Sequence, residues 1–506
     1  MAKAAVVGKE EAAPRVRSLS DLAVSTVVTA AVTAGFVGFS ESCRHWYVLP
    51  AALSGIIIGT DAVAWLRGRM NLYDPVGLFG LLGYHGFFLA PLLAAAWDFW
   101  LPYVVGVYKS SVIPSDWRDW MGWMCLLNAG GLLIYRAVRR LPLRAARGAR
   151  RQWLWQLERR RFWVLLLAGI VGSAGLQVWV YARVGGLVGY ILAYGANPLH
   201  AFQGSGWLFS ISEAFPVLMM IGFVVLARSR PRWRSWAVIA GVLGLFFVLL
   251  MVFGGLRGNR GDTVWRLLWA VGMVHLLLRR VPRWSVYAAI PLLLAFMYVY
   301  GFYKDLYSGG LQVLSGQASA QEFEGRTGRT VGQVLLGDLA RANVHSMLLY
   351  RVVDRDSDYQ LAWGRTYVAT AALIVPRGLW PERPPRKMKE GTEVLYGSGV
   401  WRPGGFEAST VFGLMGEGML NFGVAAVPVA FMILGLYVGQ LRRWLLTWRR
   451  DDARLLLFPF LVASVFVLWS LDSDNVVVVL LKNALVPVLV VALSSRRSIV
   501  TGKIHE

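Results

Sequence analysis

Apolar runs of about twenty residues recur along almost the whole of this 506-residue chain, and no other feature limits its fold as strongly. A helix rises about 1.5 Å per residue, so about twenty apolar residues cross a bilayer's hydrocarbon core with every backbone polar group paired inside the segment. By that measure the sequence predicts an all-α polytopic membrane protein. About twelve spans are expected, near 21–40, 47–66, 75–97, 119–135, 162–181, 207–227, 236–254, 263–278, 284–302, 412–440, 455–470 and 476–494. Composition agrees: 56% of residues are hydrophobic, mean hydropathy is +0.51, and 16% are charged, against about 25% in an average soluble chain. The first run, Leu22 to Phe39, is long enough to span, and 37–42 lacks a small-residue cleavage site, so it reads as an uncleaved anchor. The run at 412–440 exceeds what a bilayer needs, so its first turns are expected to project outward or tilt.

The formal charge is +23, from 52 Lys+Arg against 29 Asp+Glu. In a soluble protein that excess would suggest nucleic acid; between spans it reports orientation. With the N-terminus inside, the inner segments 1–20, 67–74, 136–161, 228–235, 279–283, 441–454 and 495–506 hold 31 bases, and the five short outer loops hold 6. Both termini are therefore expected in the cytoplasm. The chain divides into a nine-span region (1–302), a large outer loop (303–411) with 13 bases and 11 acids, and a three-span region with a cytoplasmic tail (412–506). Arg266 and Lys482 are the two bases left inside spans. The stretch Arg136–Arg161 carries ten arginines and one acid, Glu158. It serves as a topogenic signal or as a contact for anionic headgroups, with Trp153 and Trp155 beside it as interfacial anchors.

Bases on the outer face run against that pattern and point to chemistry. Arg257 and Arg260 lie in Gly254-Gly255-Leu256-Arg257-Gly258-Asn259-Arg260-Gly261-Asp262, between the seventh and eighth spans. The glycines permit close approach by a bulky ligand, and two guanidinium forks suit phosphate or pyrophosphate. The bland alternative is a solvated hairpin with an arginine on Asp262. A second group runs from Pro376-Arg377-Gly378-Leu379-Trp380-Pro381 to Arg383, Arg386, Lys387 and Lys389. Its prolines stiffen the loop, while Trp380 and Trp401 offer flat faces to sugar C–H groups; alternatively the loop lies on the bilayer with snorkelling bases. In the third, Phe412 to Gly423, Glu417 stands between Gly416 and Gly418 within about two turns (~11 Å) of the outer face. A carboxylate in a partly apolar setting can act as a general base, or it can pair with an arginine and fix the helix. Glu213, Asp472 and Asp474 are weaker candidates of the same kind.

Several other chemistries find no support. Cys43 and Cys125 form no CxxC pair, and the six histidines, His200 and His345 among them, form no HExxH. Asp354-Arg355-Asp356-Ser357-Asp358 begins like an EF-hand, but Tyr359 replaces the required glycine and Arg365 the bidentate acid. No metal or cofactor is expected.

Together these segments resemble the O-antigen polymerase family of bacterial repeat-unit polymerases. The resemblance rests on Asp74-Pro75-Val76-Gly77-Leu78-Phe79 with Ala90-Pro91-Leu92-Leu93, and on Arg183-Val184-Gly185-Gly186-Leu187. The Arg257–Asp262 turn, the Pro376–Pro381 segment, and Gly416-Glu417 with Asn421-Phe422-Gly423 complete it in order along about 350 residues. Gly418-Met419-Leu420 departs from the aromatic that often follows the Gly-Glu pair, and Arg383-Pro384 stands where Lys-Pro is common. The resemblance implies a metal-independent glycosyltransferase of the bacterial plasma membrane. Its substrate would be an undecaprenyl-pyrophosphate-linked oligosaccharide, transferred to a sugar hydroxyl of another lipid-linked repeat at the outer face. In that scheme Arg257, Arg260 and Arg377 stabilise the departing pyrophosphate and Glu417 is the base. Arg183, Asp262, Trp380, Arg383, Lys387 and Trp401 bind substrate. Membrane lipids, a flippase and a chain-length regulator are the implied partners, and nucleic acid is not. A ligase is a close alternative. A flippase or transporter is the rival from another class, disfavoured by the short 228–235 connector and the absence of duplicated halves.

Overall fold

The computed structural model describes residues 15–100, 114–142, 151–190, 206–257, 260–306, 330–375, 379–380, 387–402 and 410–501, with single positions 321 and 384. The chain is mostly helical. In order it forms α1 (Arg15–Phe39), α2 (Val48–Leu66), α3 (Pro75–Tyr84), α4 (Ala90–Ala96) and α5 (Trp117–Val138). There follow strand β1 (Arg151–Leu157), α6 (Arg159–Arg183), α7 (Gly206–Ser212), α8 (Phe215–Ser229), α9 (Trp236–Phe253), α10 (Arg260–Met273) and α11 (Arg283–Leu306). The large loop contributes α12 (Ala342–Val353), α13 (Arg365–Ala371) and α14 (Met388–Tyr396). Last come α15 (Gly413–Phe422), α16 (Ala426–Thr447), α17 (Phe458–Ser470), α18 (Ser473–Leu493) and β2 (Ser495–Thr501).

Among the described residues, 10 helical stretches are long and apolar enough to cross a membrane. They coincide with ten of the expected spans. The expected span 263–278 falls on α10 and a wide π turn at Val274–Leu278, and α10 carries the buried Asp262 and Arg266 near its start. The expected span 455–470 falls on α17, whose 13 residues extend only about 20 Å at ~1.5 Å each.

The overlong run at 412–440 is resolved by a break. Gly423 takes φ +69° and Gly413 takes φ +72°, backbone shapes that favour glycine. At Gly413 a Cβ would also lie 2.5 Å from the Trp469 carbonyl oxygen. These two residues cut out α15 as a separate ten-residue helix, buried along most of its length, ahead of the long α16.

Local signals explain several boundaries. Asp74 caps α3 through Val76 N at 2.9 Å, with Pro75 at the first helical position, and Asp116 caps α5 through Arg118 N at 2.9 Å. Small residues bring α5 and α16 together: a Cβ on Gly439 would meet the Arg139 carbonyl at 2.2 Å. At the same level Arg139 makes a two-pronged pair with buried Asp61, at 2.5 and 2.9 Å.

Segments expected on one side of the membrane touch one another. β1 pairs antiparallel with β2, Arg151 opposite Thr501 and Leu157 opposite Ser495. Arg454 donates to the Trp153 carbonyl, Arg228 to that of Arg450 at 2.7 Å, and Arg69 pairs with Asp21 at 2.7 Å. Trp153 is exposed, while the Trp155 ring has the guanidiniums of Arg454 and Arg497 at 5.9 and 5.1 Å from its centroid. At the opposite end, Trp46 donates to Asp119 at 2.5 Å and Asn343 to the Phe99 carbonyl.

Candidate functional site

Glu417 is 2% exposed, and its carboxylate is surrounded by donors. Oε1 accepts from the hydroxyls of Thr366 and Ser473, each at 2.7 Å, and Oε2 from the Ser473 backbone N–H at 2.5 Å. Thr370 and Ser473 share a hydroxyl hydrogen bond of 2.7 Å. Asn421, one turn after Glu417, donates to the Thr366 hydroxyl at 2.7 Å and to the Glu417 carbonyl at 2.8 Å. Three chain segments thus meet on one acid: α15 supplies it, α13 a row of threonines, and the first turn of α18 an N–H group and a hydroxyl. Burial, and then the Glu417 carboxylate, push the Tyr367 phenol up, so Tyr367 lies in the field of that acid.

Asp472 sits beside this group with no exposure. Its Oδ1 accepts from the N–H groups of Phe412 and Gly413, each at 2.9 Å, and Lys387 pairs with its other oxygen. Lys387 also donates to the Thr410 carbonyl at 3.1 Å. His345 completes the wall, with Nε2 2.7 Å from the Phe412 carbonyl, and burial pulls its pKa down to about 4.

A second group lies farther along α18. Arg266 contacts Glu213 Oε2 at 2.7 Å and Asn483 Oδ1 at 2.6 Å. Asn483 donates to Asp262 Oδ1 at 3.3 Å, Lys482 pairs with Asp262 Oδ2, and Lys482 returns to Glu213 Oε2 at 2.9 Å. These five side chains close a ring, and all are buried. Two acids and two bases leave it neutral, which is how such charges survive away from water. The ring underlies the glycine turn: a Cβ on Gly254 would lie 2.8 Å from the Glu213 carboxyl carbon, and Tyr300 donates to the Gly255 carbonyl. Helix α18 carries both groups, with Ser473 at Glu417 and Lys482 in the ring. Nine residues of helix separate them, about 14 Å at ~1.5 Å per residue.

Of the residues expected at the site, Glu417, Asp262 and Lys387 fall in these two groups. Arg257 ends a short turn and Arg260 begins α10, the helix that carries Asp262 and Arg266 of the ring; their side chains lie outside the described residues, as do Arg377 and Arg383 entirely. Asp262 carries Lys482 and Asn483. Arg183, at the end of α6, is exposed and stacks on Trp179 at 4.0 Å. Trp380 is 38% exposed, and the buried Trp401 indole N–H has no hydrogen-bond partner among the described residues. Thr366, Thr370, Ser473 and Asn483 join these groups with no signal of their own in the sequence. Arg266 and Lys482 had a signal, as the two bases inside spans, and they prove to be bound to the same Glu213 oxygen.

For metals, one group of three ligand-type side chains occurs among the described residues: His45, Asp116 and Asp119, within 4.8 Å of one another. Arg118 grips Asp116 through both oxygens, at 3.0 and 2.9 Å, and holds its carboxyl below the usual range. Asp358, from the EF-hand-like stretch, instead accepts from Ser398 N at 2.7 Å and pairs with Arg351.

No protein family, characterised protein or solved structure matches the chain.

Proposed function

We propose that this chain is a membrane glycan polymerase of the O-antigen polymerase kind, moving an undecaprenyl-pyrophosphate-linked oligosaccharide onto a sugar hydroxyl of a second lipid-linked repeat. The observation that supports it most is the pairing on α18 of a buried hydroxyl-lined carboxylate, Glu417, with a buried charge ring beneath the turn bearing Arg257 and Arg260. In the reaction, the acceptor hydroxyl oxygen attacks the anomeric carbon and the bond to the pyrophosphate oxygen breaks. The leaving group departs with the electron pair, and the hydroxyl proton passes to Glu417. Pyrophosphate is already a good leaving group, so the arginines Arg257, Arg260 and Arg377 act by stabilising its charge, and Arg183, Trp380, Arg383 and Trp401 hold carriers and sugars, while the buried Lys387 is held by Asp472.

This reading takes α10 and α17 as the remaining two of twelve spans, with both termini in the cytoplasm of a bacterial cell and 303–411 outside. Membrane lipids, a flippase and a chain-length regulator are its natural neighbours. Alanine at Arg257, Arg260 or Arg377 should abolish chain elongation with expression intact, and lysine should rescue poorly because a point charge cannot replace a fork. Full elongation in all three alanine variants would remove the pyrophosphate role. The ring also suits a transporter, since acids and bases closed on one another within a membrane can relay protons. Lipid-linked glycan crossing proteoliposome membranes without bond formation would favour that second reading.

A further inference from the structure

Among the described residues, Asp98 and Trp363 are the non-glycine positions with left-handed backbone. At Trp363 φ is +47°, a costly shape for a large side chain, and 75% of the residue is exposed. Burial of the indole therefore does not account for the conformation. The surrounding bonds enforce it. Ala362 N donates to the Leu420 carbonyl at 2.9 Å, Trp363 N to the Asn421 carbonyl at 3.0 Å, and Gly364 N to the Asn421 side chain at 2.9 Å. Asn421 in turn grips Thr366 and the Glu417 carbonyl. The same residue that orders the surroundings of Glu417 thus holds Trp363 out into the open.

Two further aromatic side chains stand on the same segments, Tyr367 on α13 and Phe422 beside Asn421. Tyr367 stacks on Phe422 with centroids 6.2 Å apart and planes 15° from parallel, and Phe422 is 46% exposed. A Cβ on Gly364 would lie 3.7 Å from Phe422 Cζ, so the ring covers the turn that presents Trp363. On the same short helix, Thr366 reaches Glu417 and exposed Arg365 pairs with Glu390 at 3.1 Å. Flat aromatic faces beside a polar rim match a pyranose ring, whose C–H face packs on the aromatics while its hydroxyls meet the rim. An anchor in the bilayer interface would need a tryptophan at headgroup depth, but no strained backbone tied to the helix of Glu417.

We propose that Trp363, Tyr367 and Phe422 form a stacking platform for a sugar ring of the glycan presented to Glu417, a subsite that rests on the glycan-transfer reading. The test uses full-length protein in nanodiscs and the undecaprenyl-linked oligosaccharide extracted from cells that make it. Trp363→Gly removes the indole and relieves the backbone, so the thermal midpoint should hold or rise while affinity for that glycan falls at least tenfold. Trp363→Phe, which keeps a flat ring, should recover most of the affinity. Unchanged affinity in Trp363→Gly overturns the platform, and a lowered midpoint with unchanged affinity assigns the indole to the bilayer instead. Wild-type protein that binds the glycan without extending it contradicts the polymerase reading and leaves the platform standing. Wild-type protein that does not bind it overturns both.

Discussion

Glu417 and Asp472 cap each other's helices. Asp472 accepts the N–H groups of Phe412 and Gly413 where α15 begins, each at 2.9 Å, and Glu417, on α15, accepts the Ser473 N–H where α18 begins, at 2.5 Å. The first N–H groups of a helix have no partner within it and carry partial positive charge, so an acid placed there is stabilised. This exchange fixes the angle between two helices and at the same time holds Glu417 on its donors. A structural and a chemical role for Glu417 are compatible, and separate measurements distinguish them.

Removing Asp472 leaves two buried N–H groups without their acceptor and the Lys387 ammonium with the Thr410 carbonyl but no counter-charge there. Asp472→Ala should cost about 3 kcal/mol or more, since breaking a buried pair costs about that much. Thermal unfolding in detergent measures it. Asp472→Asn, which keeps one carbonyl oxygen for the two N–H groups, should lose less.

Glu417→Gln keeps the shape and one acceptor oxygen but cannot take a proton. Its turnover should fall at least a hundredfold, in line with a general base, while affinity for lipid-linked glycan stays within a few fold. Turnover that falls only as far as the folded fraction does would return Glu417 to a purely capping role.

The buried ring predicts strong coupling. Lys482→Met leaves Glu213 and Asp262 facing Arg266 alone and should cost about 3–5 kcal/mol. Adding Asp262→Asn restores neutrality and should recover at least half of the loss in thermal midpoint. Simple additivity in that double-mutant cycle would mean the two residues do not share a network.

His345 sets an acid limit. Its folded pKa, about 4, lies below the ordinary 6.5, so as pH falls through that window the unfolded chain takes up a proton that the folded protein refuses. Stability therefore holds above pH 6.5 and drains away between about 6.5 and 4, by up to about 3 kcal/mol at ~1.4 kcal/mol per unit. His345→Gln should flatten that part of a pH–melting curve.

Much of the helical architecture was legible because span length is a local quantity. The ten apolar helices follow from run length, and the overlong tenth run signalled that something must interrupt it, although not that Gly423 would do so by taking φ +69°. The site was legible only as anomalies. Glu417 stood out between glycines, and Arg266 and Lys482 stood out as bases within apolar runs, but their partners are remote in sequence: Thr366 lies 51 residues from Glu417, and Asp262 lies 220 from Lys482. Thr366, Thr370 and Ser473 are ordinary in sequence, because a hydroxyl gains its meaning here from what packs against it. The pairing of β1 with β2 was hidden for the same reason: the strands, Arg151–Leu157 and Ser495–Thr501, lie far apart along the chain.

The most direct measurement supplies purified protein in liposomes with one lipid-linked repeat unit and resolves the products by size. The polymerase account predicts a ladder of multiples with free undecaprenyl pyrophosphate released at each step, and loss of the ladder in Arg257→Ala. Unchanged repeat units, whether or not they cross the bilayer, would contradict it.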